Sequence, residues 1–217
     1  MAILKDLNIV RGDDTQAALI FEELYSSFMD IVYQRPSEYV QVYWNAYLAV
    51  RDVKIPNEQT RRGINGKIFE YILATLLIRE KIYPIYMNAK VAFVPNINYD
   101  LLLYSTKEGP ICLSAKVSFR ERYKQADLEA IALKYVHRKS KSYLITLSPD
   151  DAVSVNEKQK IGDVIGLDKA IYALNNDLDN LVSELKGYNL VNAPTVEVIE
   201  SKQIITESVV RAKFDNY

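Results

Sequence analysis

Asp100, Lys116, Glu129 and Glu70 are the residues of this 217-residue chain whose types and spacing suit phosphodiester chemistry. Along Ile111-Cys112-Leu113-Ser114-Ala115-Lys116-Val117-Ser118, strand alternation puts Ile111, Leu113, Ala115 and Val117 on one face. Cys112, Ser114, Lys116 and Ser118 take the other, so Lys116 points away from the apolar side. Asp100 stands among Tyr99, Leu101, Leu102 and Leu103, a costly place for a carboxylate unless a cation compensates it. An antiparallel hairpin between the two strands brings Asp100 and Lys116 together. Glu129 follows thirteen residues after Lys116, and Glu70 lies upstream in an apolar stretch. Two or three carboxylates plus a lysine are what hydrolysing a phosphodiester with Mg2+ requires. Hard oxygens hold the ion, the ion activates water, and the lysine offsets charge gathering on phosphorus. A buried Asp-Lys ion pair without chemistry accounts equally well for that pair taken alone.

Four residues past Lys116 comes Arg120-Glu121-Arg122. Arginine forks bind guanine O6 and N7, and a glutamate accepts from cytosine N4, so the triplet suits a step of two C·G pairs. Surface ion pairs at a helix start are its plainer role. Between residues 116 and 141 there are eight basic residues (Lys116, Arg120, Arg122, Lys124, Lys134, Arg138, Lys139, Lys141) against Glu121, Asp127 and Glu129, a local net charge of plus five. That is either the footprint of a phosphate backbone or a solvated helix face.

The elements that must position these residues follow from periodicity. Asp14 caps a helix through Ala17, Leu19, Ile20, Leu24 and Phe28, closed by Pro36; Ser37 opens a second with an aromatic stripe, stopping before Pro56. A polar loop over 57–66 leads into the strongest helix, 67–80. Strands are predicted at 85–94, 97–105 and 111–118, the last two joined by a Lys107-Glu108-Gly109-Pro110 turn. A helix over 122–138 and a strand over 142–147 follow. Asp168 caps a long helix ending at Gly187, an edge strand lies at 196–199, and 204–214 forms a last helix. Helix, three strands, helix, strand is the order of an α/β domain with a mixed sheet.

Asp100, Ser114-Ala115-Lys116, Arg120-Glu121-Arg122 and Glu129 together resemble the CCGG family of type II restriction endonucleases, of the PD-(D/E)XK fold, and most closely its SsoII and PspGI branch. Most PD-(D/E)XK nucleases carry an acid two residues before the lysine. Ser114 stands there, a departure the CCGG family shares while taking the carboxylate from the downstream helix, as Glu129 does in type and spacing. The resemblance implies Asp100 and Glu129 as metal ligands, Lys116 as the catalytic lysine and Glu70 as the helix-borne acid near a second metal position. It implies Arg120, Glu121 and Arg122, with neighbouring Lys124, as DNA contacts. It covers about residues 65–147. Asn98-Tyr99 precedes Asp100 where the name motif has proline, although Pro95-Asn96 lies just upstream, and the chain is short beside family members. Members of that branch extrude central bases of their sites. Trp44 and Arg51 are candidates for a stacking platform, with core packing the competing role for Trp44. His137, the sole histidine, has no partners for a zinc site and touches DNA phosphate or nothing.

The implied protein is a PD-(D/E)XK-like α/β domain with an N-terminal helical region over 1–62 and a nuclease core over 63–217. It cuts double-stranded DNA at a palindromic site containing CC·GG elements, uses Mg2+, and acts as a homodimer matched to two-fold DNA symmetry. A cognate DNA methyltransferase belongs to the same system without being a stable partner. The rivals are a structure-selective nuclease of the same fold, a DNA-binding relic that does not cut, and a structural protein without DNA affinity. Composition narrows the field further. Forty-nine per cent hydrophobic residues fill a core, and only 7 Gly and 7 Pro without a repeat exclude collagen-like, low-complexity and solenoid architectures. Net charge is −1, giving no global pull toward polyanions. Cys112 stands alone and cannot form an internal disulfide; the first residues lack a signal-peptide pattern and no apolar run reaches membrane length, so a cytoplasmic protein free of the membrane is expected.

Overall fold

Local caps and apolar spacing build the N-terminal helices of the computed structural model, which describes residues 3–11, 15–25, 27–94, 96–194, 199–201 and 203–214. After the short α1 (Ile3–Asp6), α2 (Gln16–Tyr25) buries Ala17, Ala18, Ile20, Phe21 and Tyr25. Thr15 Oγ1 accepts the Ala18 amide at 3.2 Å and so takes the capping role expected of Asp14, which lies outside the described residues. The helix ends at Tyr25, before Phe28. Pro36 does not close α2 but opens α3 (Pro36–Lys54), because its fixed φ and missing N–H suit a first helical position. The polar stretch expected as a loop is the start of α4 (Glu58–Arg79). Asn57 Oδ1 accepts the Thr60 amide at 2.9 Å, Glu58 pairs with Arg62 at 2.7 Å, and Arg61 donates to the Ile55 and Pro56 carbonyls, each at 3.0 Å. These polar contacts start the helix well before its apolar pattern begins.

β1 (Ile85–Val91), β2 (Tyr99–Ser105) and β3 (Gly109–Lys116) form an antiparallel meander. A 3₁₀ turn (Arg120–Arg122) leads into α5 (Tyr123–Val136), and β4 (Lys141–Thr146) returns parallel to β3. Then come α6 (Pro149–Lys160), β5 (Lys169–Tyr172) parallel to β4, α7 (Asn176–Lys186), β6 (Ile199–Glu200), β7 (Ile204–Ile205) and α8 (Glu207–Lys213). The mixed sheet runs β5-β4-β3-β2-β1-β6, with β7 also on β1.

The C-terminal third corrects several expectations. Asp168 caps no helix. It precedes β5 and accepts Lys134 Nζ and the Ser142 amide, both at 2.7 Å, while Asn175 caps α7. Neither α6 nor β5 is foreshadowed by periodicity: α6 buries only Ala152 and Val155 and starts on the Ser148 cap and Pro149, and β5 has four residues. Of the strand expected at 196–199, residues 196–198 lie outside the described set and Ile199 belongs to β6. The helix expected over 204–214 is β7 followed by α8, which Thr206 caps.

Helices flank the sheet on both faces. Ile111, Leu113, Ala115, Tyr143 and Ile145 share one buried cluster with Ile68, Ile72 and Leu76 of α4, Leu181 of α7, and Leu4, Phe21 and Tyr39 of the first three helices. The N-terminal helices are therefore part of the main core, and the expected boundary at residue 62 falls inside α4. The opposite face, with Leu102, Cys112 and Leu144, lies under α5 and α6. Among the described residues no helix is long and apolar enough to cross a membrane.

α5 is fastened to the segment before β5 by one buried carboxylate. Asp127 accepts the amides of Gly166 (2.7 Å), Leu167 (3.0 Å) and Ile165 (3.4 Å). Gly166 permits the approach, since a Cβ there would lie 2.3 Å from the Asp127 carbonyl oxygen. Asp127→Ala strands three amides and lowers stability by roughly 2–4 kcal/mol, and Gly166→Ala also destabilises; urea denaturation of both variants checks this.

Candidate active site

The β2–β3 register, Leu101 opposite Leu113, sets Asp100 and Lys116 on the same sheet face near the end of the hairpin. Asp100 Oδ2 accepts both Lys116 Nζ at 2.8 Å and the Ala115 amide at 2.9 Å. The pair is half-sheltered, with the lysine side chain 33% and the aspartate 16% exposed. Burial alone would lower the Lys116 pKa. The charges of Asp100, Glu70 and Glu129 more than offset it, so the ammonium is held above its ordinary range and is a fixed cation.

Glu70 reaches this site from α4, whose flanking residues Phe69, Tyr71 and Ile72 are core. Its side chain is 8% exposed and pairs with Lys67 Nζ at 2.8 Å, one helical turn away. Burial, then the negative charge of Asp100, push the Glu70 carboxyl up to about 7 against the pull of Lys67 and Lys116. Glu129 comes from the other side of the sheet, on α5. Its Oε1 accepts Gln125 Nε2 at 2.8 Å, and its backbone carbonyl accepts the Tyr99 hydroxyl at 3.1 Å, which ties α5 to the start of β2. Its charge is felt at Lys116, Tyr99 and Cys112. Cys112 is fully buried on the same face, 3.8 Å from Ser114 Oγ, and burial holds its thiol protonated.

Asp100 and Lys116 are thus in contact, while Glu70 and Glu129 act on them through space from opposite helices. Asp100 Oδ1, Glu70 Oε1 and Glu129 Oε2 carry no hydrogen bond among the described residues. Among those residues no three Asp, Glu, His or Cys side chains are grouped so that they could hold a metal ion. Asp100, Glu70 and Glu129 are nonetheless hard oxygen donors of the type Mg2+ takes, and a cation that keeps several of its waters would need only one or two of them.

The structure also places the remaining sequence candidates. Glu121 pairs with Lys124, which holds its carboxyl below the usual range, and Arg122 Nη2 donates to the Ser118 carbonyl at 3.3 Å; all three side chains are exposed. The backbone of Arg120 opens the 3₁₀ turn, and its side chain lies outside the described set. Trp44 is 7% exposed, packed on Tyr47 and Phe69, so its ring faces are occupied by the core. Arg51 is paired with Asp52 at 2.7 Å. His137 terminates α5, and its Nε2 is buried with no partner among the described residues; burial lowers its pKa. Lys67 was not singled out by sequence reasoning, though its three-residue spacing from Glu70 was legible. Tyr99, a strand residue whose hydroxyl reaches α5, left no such signal.

In metal-free protein, Glu70 binds its proton more tightly when folded than at the ordinary value of 4.5. Its contribution to stability is therefore complete below about pH 4.5 and is lost as the pH rises through about 7. Glu70→Gln removes the loss: in EDTA at pH 8 the variant is more stable than wild type by roughly 3–4 kcal/mol, at about 1.4 kcal/mol per unit, and the advantage vanishes near pH 4. Thermal melts across that range measure it.

No protein-family model, curated protein or solved structure matches this chain.

Proposed function

We propose that the protein is a Mg2+-dependent endonuclease acting on double-stranded DNA, with a PD-(D/E)XK-like core. The observation that carries the reading is the 2.8 Å contact between Lys116 and Asp100 on adjacent strands, with the buried Glu70 carboxylate pressing its charge on the pair. The surrounding topology supports it. A helix, an antiparallel three-strand meander, a crossing helix and a fourth strand parallel to the third make the mixed-sheet α/β order that the sequence pattern leads one to expect, and a PD-(D/E)XK-like core is compatible with it.

Within this reading Asp100 and Glu70 would hold the divalent ion, with Glu129 contributing from α5. Bound Mg2+ supplies charge neutralisation at the phosphate and a lowered pKa for an attacking water. Lys116 does not act as a base, because its surroundings keep it protonated. It donates hydrogen bonds to a phosphate oxygen or to the nucleophile and balances the negative charge that grows at phosphorus. The Ala115 amide keeps the Asp100 carboxylate oriented when Lys116 turns toward substrate. Arg122 and Lys124 are exposed beside the strand end and contact the backbone or bases, and cleavage of both strands follows from a homodimer on a palindromic CC·GG-containing site.

One observation favours a second reading, a structure-selective nuclease. The described side chains of the Arg-Glu-Arg triplet bond within their own segment, Glu121 to Lys124 and Arg122 to Ser118. Discrete fragments from a long duplex support restriction, whereas cutting confined to branched DNA supports the rival. The catalytic assignment predicts Mg2+-dependent, EDTA-sensitive cleavage of plasmid or branched DNA that Lys116→Ala slows by about 10²-fold or more. A Lys116→Ala protein that cuts at the wild-type rate overturns it.

A further inference from the structure

The turn between β1 and β2 carries a residue that neither local conformation nor burial accounts for. The Val94 amide donates to the Val91 carbonyl at 3.1 Å, closing a four-residue turn whose third member is Phe93. Phe93 has φ 66. Left-handed backbone suits glycine or asparagine, and a bulky aromatic there is strained. Asn88 and Asn96, the other left-handed residues of this hairpin, are of the tolerant type. Burial gives no compensation, since the Phe93 side chain is 83% exposed while its neighbours Val91 and Val94 are buried at 2% and 4%. A strained, solvated aromatic that contributes nothing to the core marks a contact made with something else.

Its place in the fold identifies that contact. The chain leaves the turn and enters β2 at Tyr99, so Phe93 sits at the sheet end that carries Asp100 and Lys116. The exposed Lys90 precedes it on β1, and Arg122 and Lys124 follow β3 at the same end. Trp44, the residue whose sequence suggested a stacking role, is enclosed in the core. We infer that Phe93 is the residue that enters the duplex, inserting its ring at a base step next to the scissile phosphate. An apolar side chain inserted between base pairs unstacks and unwinds them, while cations beside it hold the phosphates. This deepens the nuclease reading and rests on it.

The test uses the full chain and a circular plasmid with calcium in place of magnesium, so that binding can be read without cutting. Nicked plasmid is saturated with protein and ligated, and its linking number is then compared with protein-free controls. Wild type lowers the linking number, and Phe93→Trp retains the shift. Phe93→Gly loses it while still retaining plasmid on a filter, with affinity weakened no more than about tenfold, and melts at a higher temperature because glycine fits the turn. A Phe93→Gly protein that shifts the linking number like wild type overturns the inference, as does wild type that cuts DNA with magnesium yet shifts nothing. Wild type that neither binds nor cuts plasmid or branched DNA overturns the nuclease reading and this inference with it.

Discussion

Strand register is the constraint on which the site depends. Side chains alternate along a strand, so a one-residue slip of β3 against β2 would send Lys116 into the cluster of Leu113 and Ala115 and leave Asp100 facing no cation. Two features fix the register. The turn places Gly109 at φ 75, a conformation glycine adopts freely, and β3 is pinned on its other side by six consecutive parallel pairs with β4. The ion pair then needs no flexible loop to assemble: both residues stand on strands in the middle of the sheet, and the Ala115 amide helps hold Asp100.

Charge is the second organising element. Glu70 is brought into an apolar helix face beside Asp100, an arrangement that costs stability whenever both are ionised. Lys67 and Lys116 offset part of that cost and Glu129 adds to the negative side. With Glu70 ionised, three carboxylates face two lysines here, and under the proposed reading a bound cation would relieve that imbalance. That is the physical ground for preferring a metal-dependent role over a purely structural Asp-Lys pair, whose needs one aspartate and one lysine would already meet.

Much of this was legible in residue patterns, and the exceptions have identifiable causes. The three central strands and α5 were legible because alternation and the 3.6-residue period run uninterrupted there, and the Asp100–Lys116 proximity followed from pairing two such strands. The first turns of α4 were hidden because Asn57, Arg61 and Arg62 build them from polar contacts, so the segment resembles a loop. Asp168 looked like a helix cap, but its acceptor oxygens serve Lys134 and the Ser142 amide, partners 34 and 26 residues away. Pro36, which as a residue type signals a helix stop, is here a helix start. In each case a tertiary or capping contact outweighed the local signal.

The aromatic residues show the same competition between pattern and packing. Sixteen tyrosines and one tryptophan say little by count, since most of those on α2 and α3, with Trp44 among them, form a chain of edge-to-face and tilted ring contacts that seats the helices on α4. Within such a chain each ring is already matched by another. Phe93 differs because it has no ring partner among the described residues, occupies a backbone conformation unfavourable to it and stands clear of the core. An aromatic residue that is costly where it stands is more informative about function than one that packs well, and it was invisible to a reading that weighed residue type and helical spacing without backbone angles. The same reasoning ranks the cations: Lys134, Lys141 and Lys67 are committed to carboxylates within the fold, whereas among the described side chains Lys90 and Arg122 are exposed at the Asp100 end with no carboxylate partner, where the proposed reading would place a polyanion.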